Sequence, residues 1–262
     1  MLKRFFFLSQ RKSILIISFL FILTSTLFAF DGIKESMQKA NEFYRNEKFD
    51  EAIKIYEQLR IEGYEGTSLY YNLANANYRV GKLGYAILNY ERALKFSPGD
   101  EDTRHNLAFA NLSTVDRIQP LPAFFLFEWW ETLLTSLSIN GWTYTTYIVY
   151  LILISLIILY FFARTISQQK IILFSGLGTL IILGLVISLL IVKINREQTF
   201  ISGVVVAQSA TVKSSPDNNS TDAFVIHEGL KVNLEDKLDE WVKIRLSDGK
   251  VGWVEKDFVE KI

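Results

Sequence analysis

YIVYLILISLIILYFF at 147–162 and IILFSGLGTLIILGLVISLLIV at 171–192 decide the architecture of this chain. The first run carries no charge. Its twelve Ile, Leu, Val and Phe residues, at roughly −0.3 to −0.6 kcal/mol each on an insertion scale, favour a spanning helix by several kcal/mol. The second run is also uncharged and long enough for a hydrocarbon core of about 30 Å, which takes about 20 helical residues. Backbone polar groups in lipid are satisfied only within helices or closed barrels. Two spanning helices, 144–163 and 171–192, joined by the short polar loop RTISQQK at 164–170, are therefore expected to form a hairpin. The flanking parts then lie on one side of the membrane. Soluble core helices normally keep a polar stripe, and these runs have none.

With 262 residues, half of them hydrophobic, the chain has room for two modest domains besides the membrane part. Its formal net charge of zero argues against a nucleic-acid partner, which usually leaves a basic face. Cysteine is absent, which excludes disulfides, a thiol nucleophile, a cysteine-ligated metal and a lipidated-cysteine anchor.

At the start, Lys3, Arg4, Arg11 and Lys12 precede an uncharged run from Ser13 to Phe30. This is the layout of an export signal, so 1–30 reads as a signal peptide or an uncleaved signal anchor. Ala29 suits the position before a cut, whereas Leu27 is large for the site two residues upstream. By the positive-inside rule the basic end stays in the cytoplasm and residue 31 onward lies outside it. Arg164 and Lys170 then suit a cytoplasmic loop, while Lys193 and Arg196 on the far side weaken a simple charge count.

Residues 31–118 repeat. Ala40, Ala74 and Ala108 are 34 apart, and so are the pairs Ala52/Ala86, Tyr56/Tyr90, Asn41/Asn75 and Leu73/Leu107. A 34-residue period with small residues at two positions and an aromatic at a third is the mark of a helix-turn-helix repeat. Ala74 and Ala86 would let two helices approach, with Leu73, Tyr90 and Leu94 between them; Pro98 would stop the second helix, and Gly99 and Asp100 would turn and cap the next. The copy at 67–100 closely resembles the tetratricopeptide family. That at 33–66 keeps Ala40, Phe43, Phe49, Ala52, Tyr56 and Leu59, and 101–118 reads as a capping helix. So few repeats are expected to lean on a neighbour or on the membrane face.

The tetratricopeptide resemblance implies a groove for a partner segment, lined by the first helix of each repeat. At the matching positions stand Met37, Asn41, Tyr44 and Arg45, then Tyr71, Asn75, Tyr78 and Arg79. Asn41 and Asn72 match two positions of a carboxylate clamp found in some members, but Met37 and Asp102 replace its expected basic residues, so no clamp is assigned.

The stretch 119–143 contains Pro120, Pro122, Glu128, Glu131, Trp129, Trp130 and Trp142. Glu128 at mid-membrane would cost about 2.5–3.5 kcal/mol. A short helix lying in the interface, with its aromatics at headgroup depth, accommodates these residues. After Val192 the pattern changes to strands. Over 200–262, runs such as ATVK, AFVI, WVKIRL and GWV alternate with turns such as SPDNN and SDG. The segments ATVKSSP at 210–216, HEGLKV at 227–232, WVKI at 241–244 and DGKVGWV at 248–254 resemble a bacterial SH3-like barrel. Gly229 suits a turn and Asp248-Gly249 a hairpin. Trp241 and Trp253, at period-2 positions, read as core.

Chemistry is scarce. His105 and His227 are the only histidines and fall in different domains, which leaves no zinc set or histidine-based triad. No catalytic residue, cofactor site or metal site is assigned, and no enzyme is expected. GLG at 176–178 lies inside an apolar helix, where small residues are expected to let the two membrane helices approach.

The fold class is thus multidomain: a tetratricopeptide-type helical array, a transmembrane helix hairpin and a small all-β SH3-like barrel. The order of these modules resembles, over essentially the whole mature chain, the Bat aerotolerance-operon family of the BatE type. That resemblance implies a bacterial inner-membrane protein with both soluble domains in the periplasm and von Willebrand factor A-type membrane proteins as partners. The expected role is a membrane-held adaptor or scaffold, with a peptidoglycan-binding membrane protein as the alternative. A transporter ranks last, since a lone hairpin without intramembrane polar groups offers no path.

Overall fold

The computed structural model describes residues 32–118, 122 and 124–262. The expected signal or anchor at 1–30 lies outside the described residues. Contacts divide the chain into two compact units, with the boundary between Glu65 and Gly66.

In the first unit, a helix over 32–45 (α1) is followed by α2, Phe49–Ile61. Ala40 and Ala52 are fully buried, and Tyr56 and Leu59 nearly so. The Tyr56 hydroxyl donates to Asn41 Oδ1 at 2.6 Å, tying α2 to α1.

The second unit begins with α3, Thr67–Arg79, α4, Leu83–Phe96, and α5, Glu101–Leu112. Helix starts recur at the sequence period: Phe49 and Leu83 are 34 apart, as are Thr67 and Glu101. The cross-helix bond recurs as well, with the Tyr90 hydroxyl donating to Asn75 Oδ1 at 2.5 Å. Asp100 caps α5 by accepting from the Thr103 amide at 3.0 Å. Ala74 is buried, as is Ala40 in the first unit, but Ala108 at the same repeat position is exposed. The difference follows from the chain, because no partner helix comes directly after α5.

Helix α6, Phe125–Thr135, is only 11 residues long, about 17 Å at 1.5 Å per residue. It presents Phe125, Phe127, Trp129 and Trp130 outward and buries Leu134. The buried Trp142 at the start of the next helix donates its indole N–H to the Leu134 carbonyl at 3.3 Å. Two long helices follow, α7, Ile139–Phe162, and α8, Ile166–Thr199. Both are long and apolar enough to cross a membrane. Trp142 is the one buried residue among them, so large apolar side chains are exposed along both helices. Water would make that surface very costly.

The turn between them is tighter than the expected loop at 164–170. Thr165 accepts from the Gln168 amide while the Gln168 side chain reaches back, a capping box that starts α8 at Ile166. The glycines of α8 also differ from expectation. A Cβ added at Gly176, Gly178 or Gly184 would meet nothing within 4 Å, so close approach of α7 requires none of these glycines; Gly176 lines an open gap beside Leu153, Leu156 and Ile157 of α7.

The chain ends in a seven-stranded antiparallel sheet: β1 Ile201–Val205, β2 Ser209–Lys213, β3 Asp222–His227, β4 Lys231–Leu238, β5 Trp241–Arg245, β6 Val251–Glu255 and β7 Val259–Lys261. The spatial order is β3-β2-β6-β5-β4-β1-β7. Its core contains Val205, Val212, Ile226, Val232, Ile244 and Val254. Asp248-Gly249 makes the β5–β6 hairpin as expected, with Gly249 at φ +92°.

Candidate functional site

Strand alternation places every second side chain of β5 and β6 on the face opposite the core. Ile244 and Val254 are buried, whereas Trp241, Lys243 and Trp253 are half-buried. The period-2 spacing of the two tryptophans was thus sound, but the face is the outer one. Trp253 pairs with Lys243 on β5 and with Lys213 on β2. The row extends to Asp236 beside Lys243 and to Asp222, which holds Lys213 at 2.6 Å. Glu235 lies beside Arg245 and Lys243. The Arg245 hydrogen bond, aided by both positive charges, keeps the Glu235 carboxyl below the usual carboxylate range. An indole face flanked by ammonium groups that already have carboxylate partners suits a ligand with an apolar planar surface and polar edges.

The helical candidates divide by unit. In the first, Met37, Asn41 and Tyr44 are half-buried and Arg45 is exposed on α1. Tyr44 meets the Phe49 ring edge-on at 5.2 Å between centroids. In the second, Tyr71, Asn75 and Tyr78 are half-buried and Arg79 is exposed on α3. Asn106 of α5 donates to the Tyr71 hydroxyl and to Asn75 Oδ1, both at 3.1 Å, and Tyr78 meets Phe109 at 6.0 Å. Tyr71, Asn75 and Tyr78 therefore run along the α3–α5 seam, and both candidate asparagines help hold their helices together. Phe109 is 55 % exposed and extends this surface outward.

Residues 208–260 match the bacterial SH3 domain family. The C-terminal sheet is a bacterial SH3 domain. A comparison with curated proteins finds no match for the chain.

The SH3 domain is docked on the helices, a contact not foreseen from the sequence. Val204 of β1 is buried in a cluster with Ala86, Ile87 and Tyr90 of α4. At Gly84, an added Cβ would lie 2.6 Å from the Val205 carbonyl, so only glycine admits the strand there. The Gly84 amide donates to Glu228 Oε2 at 3.2 Å, which places a carboxylate at the N-terminus of α4. Gly229, at φ +84°, sits where a Cβ would be 2.7 Å from Ile87 and 2.8 Å from Thr114. Asp116 accepts the His227 amide at 2.6 Å and lies 3.0 Å from His227 Nδ1. Lys231 bonds Glu91 at 2.7 Å, and Arg92 donates to the Lys261 carbonyl. Ile118 packs on the SH3 core. Apart from Gly229, read as a turn, none of these residues carries a spacing or motif that marks an interface.

Among the described residues no group of three or more His, Cys, Asp or Glu could hold a metal ion. The described surfaces are an outer SH3 face and an α3–α5 face, with a packed joint between the SH3 domain and α4.

Proposed function

We propose that this protein is a membrane-held adaptor of the Bat aerotolerance type that performs no catalysis. The observation that carries this reading is the docking of the SH3 domain on α3–α5, beside two helices long enough to cross a membrane. Two binding surfaces held at fixed geometry suit a scaffold. The tetratricopeptide assignment draws support from the 34-residue recurrence of helix starts and of the tyrosine–asparagine bond. In this reading α7 and α8 cross the inner membrane as a hairpin, and the repeats and SH3 domain lie in the periplasm. The repeats grip von Willebrand factor A-type membrane proteins through the surface of α3 that carries Tyr71, Asn75 and Tyr78.

A second reading, attachment to peptidoglycan, is favoured by one observation: the outward Trp241 and Trp253 flanked by Lys213 and Lys243. Co-sedimentation of the full chain with purified sacculi in mild detergent separates the two. The adaptor stays in the supernatant. A wall-binding protein pellets, and Trp241→Ala with Trp253→Ala releases it.

A further inference from the structure

A polar cleft of about 570 Å³ opens where α8 leaves its apolar run. Lys193 and Arg196, the first charges after Val192, line one wall. They lie within about 6 Å of the end of the run along the helix axis. Helix α6 supplies the second wall, held to α8 by the Arg196–Glu131 ion pair, and its exposed Trp129 and Trp130 suit headgroup depth. The third wall comes from α4 and the SH3 sheet, with Lys95, Lys231 and Lys261.

The cleft is net positive. Its three carboxylates each meet one of its cations: Glu197 with Lys193 at 3.2 Å, Glu131 with Arg196, and Glu91 with Lys231 at 2.7 Å. Two of the five lining cations are left over. Lys95 donates at 3.2 Å to the Ile262 main-chain oxygen, and Lys261 lines the cleft with no carboxylate from this set beside it. Leu134, Phe200 and Ile201 line the remainder, so the cavity is charged and apolar together.

We propose that this cleft binds the phosphodiester headgroup of an anionic glycerophospholipid, with the lipid tail running down beside α8. The proposal rests on the membrane assignment of α7 and α8. The two lysines left over match phosphate oxygens, and the apolar lining matches the glycerol backbone. A free phosphate shares the charge but leaves the apolar wall unused.

The test is native mass spectrometry of the full chain in mild detergent, titrated with phosphatidylglycerol and phosphatidylcholine. One phosphatidylglycerol should be retained with about ten-fold preference, and Lys95→Gln with Lys261→Gln should lower that to about two-fold. Arg196→Lys keeps the charge and should keep most of the preference; near-UV circular dichroism verifies that each variant is folded. Equal retention of both lipids, or an unchanged preference in the double variant, overturns the proposal. So does complete displacement by millimolar inorganic phosphate, which identifies a free-anion site. Carbonate washing of membranes holding the same chain tests the underlying assignment. A chain that stays in the membrane without lipid preference sinks the headgroup site alone, whereas one that washes off removes both.

Discussion

Gly229 shows how one residue can serve two ends. Its positive φ belongs to the β3–β4 turn, and that much is legible in HEGLKV. Its missing side chain also lets that turn seat against Ile87 and Thr114, which no local pattern reveals because those residues are more than 100 positions away. Gly229→Ala should strain the backbone and overfill the joint, at about 2–4 kcal/mol. Faster proteolysis around 113–118 with an intact SH3 fold would register the loss of docking. Tyr56 carries a second residue-scale prediction. Burial and the neighbouring Tyr44 push its phenol up to about 12, while Arg45 pulls it back. The fold favours the neutral phenol, so this stabilisation is whole below about pH 10 and is lost as pH rises towards 12. Tyr56→Phe should cost about 1 kcal/mol at neutral pH through the lost bond to Asn41. It should also flatten the alkaline decline, as read from thermal unfolding at neutral and alkaline pH.

Among the elements, periodicity was most informative where one residue type had to recur. The repeat bounds at 67 and 101 coincide with the first residues of α3 and α5, and Asp100 was legible as a cap because an aspartate before a helical pattern has that chemistry. The expected loop at 164–170 came out shorter because polar residues there satisfy the first turn of α8 instead of leaving it. The glycines of α8 do not mark a close helix contact, since an added Cβ would meet nothing there: composition states neither how near a neighbour comes nor which face meets it. The outward tryptophans of β5 and β6 repeat that lesson, since alternation gives two faces without saying which is wet. Helix α6 depends on Trp142, whose indole reaches the Leu134 carbonyl. Trp142→Ala should cost about 3 kcal/mol or more locally. Hydrogen exchange over 125–135 should rise by at least about ten-fold while α7 keeps its protection.

At the scale of the molecule, the succession of helical pairs, apolar helices and β-rich segment was readable because each class has its own hydrophobic period. The joint between the SH3 domain and α4 was not, because it is built from single long-range contacts such as Asp116–His227 and Gly84–Glu228. That joint packs β1 of the SH3 domain against α4.

Photo-crosslinking in living cells, from reactive groups placed at Tyr78 and at Trp241 in separate strains, tests the adaptor most directly. The account predicts that Tyr78 captures von Willebrand factor A-type membrane proteins. Silence at both positions, together with retention of the full chain on sacculi, would contradict it and make wall attachment the better description.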